Sequence, residues 1–62
     1  MNLSELIKQC KAHFYSLTRG VFGEWKARAS VDGEIIESDG EGNTPEQAVE
    51  NLIVKLKEKN II

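Results

Sequence analysis

The sequence has little of several things that small proteins use for stability or chemistry. It holds one cysteine, Cys10, so no internal disulfide can form. It holds one histidine, His13, so a zinc site built from cysteine and histidine cannot reach the usual four ligands. No apolar run approaches the roughly 20 residues needed to span a bilayer; Leu52-Ile53-Val54 is typical. Neither sign of charge dominates. Ten acidic and eight basic residues give a net charge of −2, without the basic excess common in nucleic-acid binders. The opening residues MNLSELIKQ have neither the basic start nor the apolar core of a secretion signal. A single thiol suits a reducing compartment, and the expected location is cytoplasmic.

What is present fits one small α+β domain over residues 1–62. A chain of this length buries only about 60% of the surface its unfolded form exposes. With no disulfide to help, a second copy is an economical source of extra burial, and a homodimer is expected.

Residues 3–18 read as a helix. Leu3, Leu6, Ile7, Cys10, Phe14 and Leu17 recur at spacings of three and four, giving one apolar stripe. Asn2 is a good N-cap with Glu5 three places on, and Arg19-Gly20 supplies a stop. Lys8, Lys11, Tyr15 and Arg19 then share the outer side. Residues 20–23 form a connection whose Val21 and Phe22 are expected to pack inward.

Residues 24–31 and 34–40 read as two strands joined at Asp32-Gly33, a pair suited to a tight turn with positive φ at both positions. Pairing Val31 with Glu34 sets the register. Arg28 then faces Glu37 and Lys26 faces Asp39, while Trp25, Ala27, Ala29, Val31 and Ile36 share the apolar face. Ile35 is left beside Ser30 on the charged face. After a loop at 40–43, Thr44 caps a final helix with Pro45 at its first position and Gln47 three residues after the cap. Ala48, Val49, Leu52, Ile53 and Leu56 form its buried stripe. Asn60 ends it, leaving Ile61-Ile62 as a tail. The expected order is α-β-β-α: an antiparallel hairpin on two helices, able to become a four-stranded sheet across a dimer.

No constellation for catalysis, cofactor binding or metal ligation emerges, and no enzyme is expected. Cys10 and His13 lie three apart, but Cys10 falls on an apolar stripe, where it reads as a small buried hydrophobe. The residues with the best case for partner contact are Trp25, Lys26, Arg28 and Ile35. The partner is a second copy or another protein. The alternative is weak nucleic-acid binding through Lys8, Lys11 and Arg19.

Two family resemblances accompany this reading. Gly42-Asn43-Thr44-Pro45-Glu46-Gln47-Ala48-Val49-Glu50-Asn51-Leu52 resembles the helix entry of HicB-type antitoxin domains. That resemblance implies a small α+β module that binds and neutralises a toxin partner and often dimerises. A small interaction module of this kind is typical of phage, prophage or toxin–antitoxin genes, and such an origin is expected. Gly40-Glu41-Gly42-Asn43-Thr44 followed by Ala48 is similar to the approach to the last helix of double-stranded RNA-binding domains. It implies their layout of helix, antiparallel sheet and helix, here with a third strand missing or very short. Pro45 and Glu46 stand where that family carries phosphate-holding lysines, so the resemblance extends to layout and not to the RNA contact.

Overall fold

The computed structural model describes residues 2–38 and 42–62. It is α+β, with two helices and a three-stranded antiparallel sheet in the order β1-β2-β3. The first helix, α1 (Leu3–Gln9), is capped as its sequence requires: the Glu5 N–H donates to Asn2 Oδ1 at 2.9 Å. It is much shorter than residues 3–18. Cys10 closes it, Lys11 takes a left-handed φ of 58°, and a single 3-10 turn at Lys11–His13 follows. That left-handed residue costs roughly 1–2 kcal/mol and redirects the chain. The residues beyond it, rich in aromatic and β-branched types, form β1 (Phe14–Arg19) instead of continuing the helix.

The chain then turns at residues 20–24 into β2 (Trp25–Val31), and β2 turns at Asp32-Gly33 into β3 (Glu34–Glu37). Asp32 and Gly33 have φ of 51° and 83°, the mirror-image turn that strand twist favours. The β2–β3 register is the one set by the turn: Val31 faces Glu34, Ser30 faces Ile35, Ala29 faces Ile36 and Arg28 faces Glu37. The expected partner of Lys26, Asp39, lies outside the described residues. The sheet is thus one strand larger than the expected hairpin, because β1 comes from sequence that reads as helix.

Beyond β3, Ser38 and Gly42 each lie against β2. The Ser38 N–H donates to the Ala27 carbonyl at 2.9 Å, and the Ser38 hydroxyl accepts from the Ala27 N–H at 3.2 Å. Trp25 and Gly42 exchange two backbone hydrogen bonds of 2.8 and 3.2 Å. Gly42 is a glycine because of crowding: a Cβ there would lie 2.7 Å from the backbone nitrogen of Ala48.

The final helix, α2 (Pro45–Glu58), begins where Thr44 Oγ1 accepts from the Gln47 N–H at 3.1 Å. It ends in a left-handed cap. Asn60 has φ 60°, its N–H donates to the Lys57 carbonyl, and the Ile61 N–H donates to the Leu56 carbonyl. This pattern folds the chain back over the last turn. Ile61 and Ile62 are therefore not a free tail; both pack against the core.

One core joins the layers. Ala27 and Ala29 of β2 meet Leu6 and Cys10 of the first helical segment and Ala48, Val49, Leu52, Ile53 and Leu56 of α2. The two alanines are fully buried, and their small size lets α2 lie close to the sheet. Phe14, Leu17, Trp25, Val31 and Ile36 close the margins.

Candidate interaction surface

Strand alternation sorts the sheet into two faces. The face away from the core carries Ser16 and Thr18 from β1, Lys26, Arg28 and Ser30 from β2, and Ile35 and Glu37 from β3. Arg28 ties the three strands together. One guanidinium nitrogen donates to Thr18 Oγ1 at 2.9 Å, and Nε donates to Glu37 Oε1 at 3.4 Å. Lys26 Nζ lies 3.9 Å from the other Glu37 oxygen. Two cations therefore share one carboxylate, and the net charge of these three side chains is positive. Exposed pairs of this kind contribute about 0–1 kcal/mol each, so they orient the side chains more than they hold the sheet.

Three of the four expected contact residues, Lys26, Arg28 and Ile35, share this outer face. Trp25 does not. It sits on the core side at the start of β2, half-buried, with the Arg19 guanidinium 5.8 Å from its ring centroid. Ile35 is 49% exposed, beside Ser30.

The free edge of β3 lies next to this face. Because the Ser38 N–H points toward β2, alternation turns the N–H and C=O groups of Ile35 and Glu37 away from β2. Such an edge can accept another strand.

Lys8, Lys11 and Arg19 do not make the expected strip on one helix. Lys8 lies on α1, Lys11 in the 3-10 turn after it, and Arg19 at the end of β1, drawn over Trp25. Tyr15 leaves that strip with them, exposed on β1. Cys10 is fully buried; its thiol donates weakly to the Leu6 carbonyl at 3.8 Å, and burial pushes its pKa up. That is the opposite of what activates a nucleophile. Among the described residues no three histidine, cysteine, aspartate or glutamate side chains converge as a metal site, and no cleft opens. Among those residues, too, no helix is long and apolar enough to cross a membrane.

Sequence reasoning missed the tip between β1 and β2. Val21 and Phe22 do not pack inward; they are 92% and 93% exposed. The available signal was the pair of glycines bracketing them, which marks a turn more strongly than a buried connection. Ser38 was missed too, since one serine after a strand gives no sign that its hydroxyl will stand in for a backbone acceptor.

Compared with protein-family models, with curated proteins and with solved structures, the chain matches none.

Proposed function

We propose that the chain is a small, non-enzymatic, cytoplasmic interaction module that pairs with a second copy through β3. The observation that carries this reading is Ile35, a half-exposed apolar side chain on an otherwise polar sheet face, at a strand edge with free hydrogen-bonding groups. With a two-fold axis perpendicular to the sheet, Ile35 can pair with its counterpart. Glu34 then faces Ile36 of the second copy, and no two glutamates oppose each other. The result is a six-stranded sheet instead of the four-stranded one expected from a hairpin. The antitoxin-like reading belongs here as well: a dimer of this kind leaves the Lys26–Arg28–Glu37 face open for another protein. Sedimentation equilibrium at high micromolar concentration tests the pairing. A dimer that Ile35→Lys converts to a monomer supports it; a wild-type monomer removes it.

A second reading is favoured by one observation. The order α-β-β-β-α, with the third strand in place, is closer to the layout of double-stranded RNA-binding domains than the sequence suggested. Under this reading Lys8 and Lys11 contact phosphate, with Arg19 at a separate point. Pro45 and Glu46 still occupy the start of α2 where lysines would be needed. Retention of double-stranded RNA that weakens steeply with salt is the required result, and its absence at low ionic strength ends this reading.

A further inference from the structure

The Asp32-Gly33 turn brings together the parts of an intramolecular reaction. Val31 and Glu34 close the turn, and alternation from the Ser38–Ala27 hydrogen bond makes them a bonded pair. Asp32 and Gly33 are themselves exposed. Among the described residues nothing accepts from the Gly33 N–H, and no hydrogen-bond or ion-pair partner holds the Asp32 carboxylate. A side chain at Gly33 would meet nothing within 4 Å, so the space beside its nitrogen is open. With φ of 51° and 83° the two residues form a type I′ turn, in which the first ψ is about 30°. Rotating the Asp32–Gly33 peptide alone gives type II′, with that ψ at about −120° and the second φ at about −80°. Both types join the same two strands. Gly33 accepts either sign of φ, so the flip leaves the Val31–Glu34 pair in place. It also eclipses the Gly33 nitrogen with Asp32 Cβ, the arrangement that a five-membered ring through the side chain needs.

We infer that Asp32 is a modification site, where the folded chain converts aspartate to isoaspartate through the type II′ form of its own turn, with water as the co-reactant. The Asp32 carboxylate takes up a proton. Its hydroxyl then leaves with the Gly33 N–H hydrogen as water while the Gly33 nitrogen bonds to Cγ, closing an imide ring. A second water opens the ring and the proton is returned. Opening at the main-chain carbonyl routes the chain through Cβ and Cγ and leaves the α-carboxyl as a side group. No electron is transferred and the net charge is unchanged. Aspartate at the first position of a type II′ turn, where glycine is preferred, is strained. That strain slows the reaction on the order of ten- to a hundred-fold below the unfolded chain. Waiting for the whole domain to open would slow it about a thousand-fold or more. The product has one more backbone atom in a loop whose length sets the hairpin register, so closure at Val31–Glu34 weakens and β3 loosens first. The chemistry needs no second copy, and the site stands separately from the dimer.

The test incubates the full chain at neutral pH in a series of urea concentrations below and above its unfolding transition. Digestion with Asp-N, which does not cut before isoaspartate, followed by mass spectrometry reads position 32 apart from Asp39. The expected product is a peptide of unchanged mass left uncut at position 32, preceded by an imide form lighter by one water. Its rate should lie within about a hundred-fold of the unfolded chain's. It should also be flat in urea below the transition, because a peptide flip exposes little surface. The purified isoaspartyl chain should exchange its Glu34 amide faster than the unmodified chain. Asp32→Asn keeps a turn-forming pair and releases ammonia in place of water, so an acidic species should accumulate on isoelectric focusing. A rate that climbs with urea across the folded range overturns the inference, since unfolding would then be required. So does conversion more than about a hundred-fold slower than in the unfolded chain, unchanged exchange at Glu34, or no acidic species from Asp32→Asn.

Discussion

Phe14 and Leu17 are three residues apart on β1, yet they face Ala29 and Ala27, which are two apart on β2. The difference is a β-bulge between Phe14 and Ser16, where Tyr15 is the additional residue. The bulge lets Phe14 and Leu17 both pack against the core despite their odd spacing. Deleting Tyr15 leaves Phe14 and Leu17 two residues apart, the regular strand spacing, so both should still face Ala29 and Ala27. The deletion should therefore cost less than the roughly 2 kcal/mol of exposing a buried large side chain. Urea denaturation measures the loss, and nuclear Overhauser contacts from Phe14 to Ala29 and from Leu17 to Ala27 report the pairing. Disappearance of either contact would mean that Tyr15 is not simply the additional residue of a bulge.

Gly42 and Gly33 make a second contrast. Alanine at 42 forces a Cβ toward the Ala48 backbone, and overpacking of that kind costs about 1–3 kcal/mol. Alanine at 33 meets nothing within 4 Å but must hold φ 83°, costing roughly 1–2 kcal/mol. Both variants should be less stable by thermal melting. Hydrogen exchange should show the Gly42→Ala effect at the start of α2 and the Gly33→Ala effect at the β2–β3 turn. The same pattern in both would refute the steric explanation.

Ser38→Ala leaves the buried Ala27 N–H without its acceptor. The expected cost is about 1–3 kcal/mol, with faster amide exchange at Ala27. Unchanged protection at Ala27 would show that another group satisfies it.

Cys10 gives a pH prediction. Burial raises the folded-state pKa, so at alkaline pH the unfolded chain releases this proton first. Its contribution to stability is full below the unfolded-state pKa, about 8.5, and declines as pH rises toward the higher folded value. The wild-type protein should lose more stability than Cys10→Ala between neutral and alkaline pH. Alkylation by iodoacetamide should follow global unfolding. Rapid alkylation of the native protein would contradict the burial of the thiol.

These particulars show what the sequence makes readable. The Asp32-Gly33 turn and the Thr44 cap are local devices, so their residues identify them directly, and the β2–β3 register follows from the turn. Phe14 and Leu17 misled because the bulge gives them the three-residue spacing of a helix face. The stripe from Leu3 to Cys10 was a true helical face, which made the continuation natural. Lys11 in a left-handed conformation broke the pattern at a residue that carries no signal for it. Ile35 was readable as an anomaly because the register fixed its face. Val21 and Phe22 were not, because hydrophobicity argues for burial and only the turn's hydrogen bonds show that they project. The Ile61-Ile62 reversal depends on a cap made after Asn60, where an isoleucine pair reads equally well as a loose end.

Amide exchange at Ile35 and Glu37 tests pairing at the β3 edge most directly. In a lone protomer both N–H groups face away from β2 and should exchange rapidly, while Ile36 and Ser38 are protected. Strand addition by a second copy should protect Ile35 in particular, and increasingly so as protein concentration rises, with the effect abolished by Ile35→Lys. Ile35 exchange that stays fast and independent of concentration would contradict the edge-paired dimer.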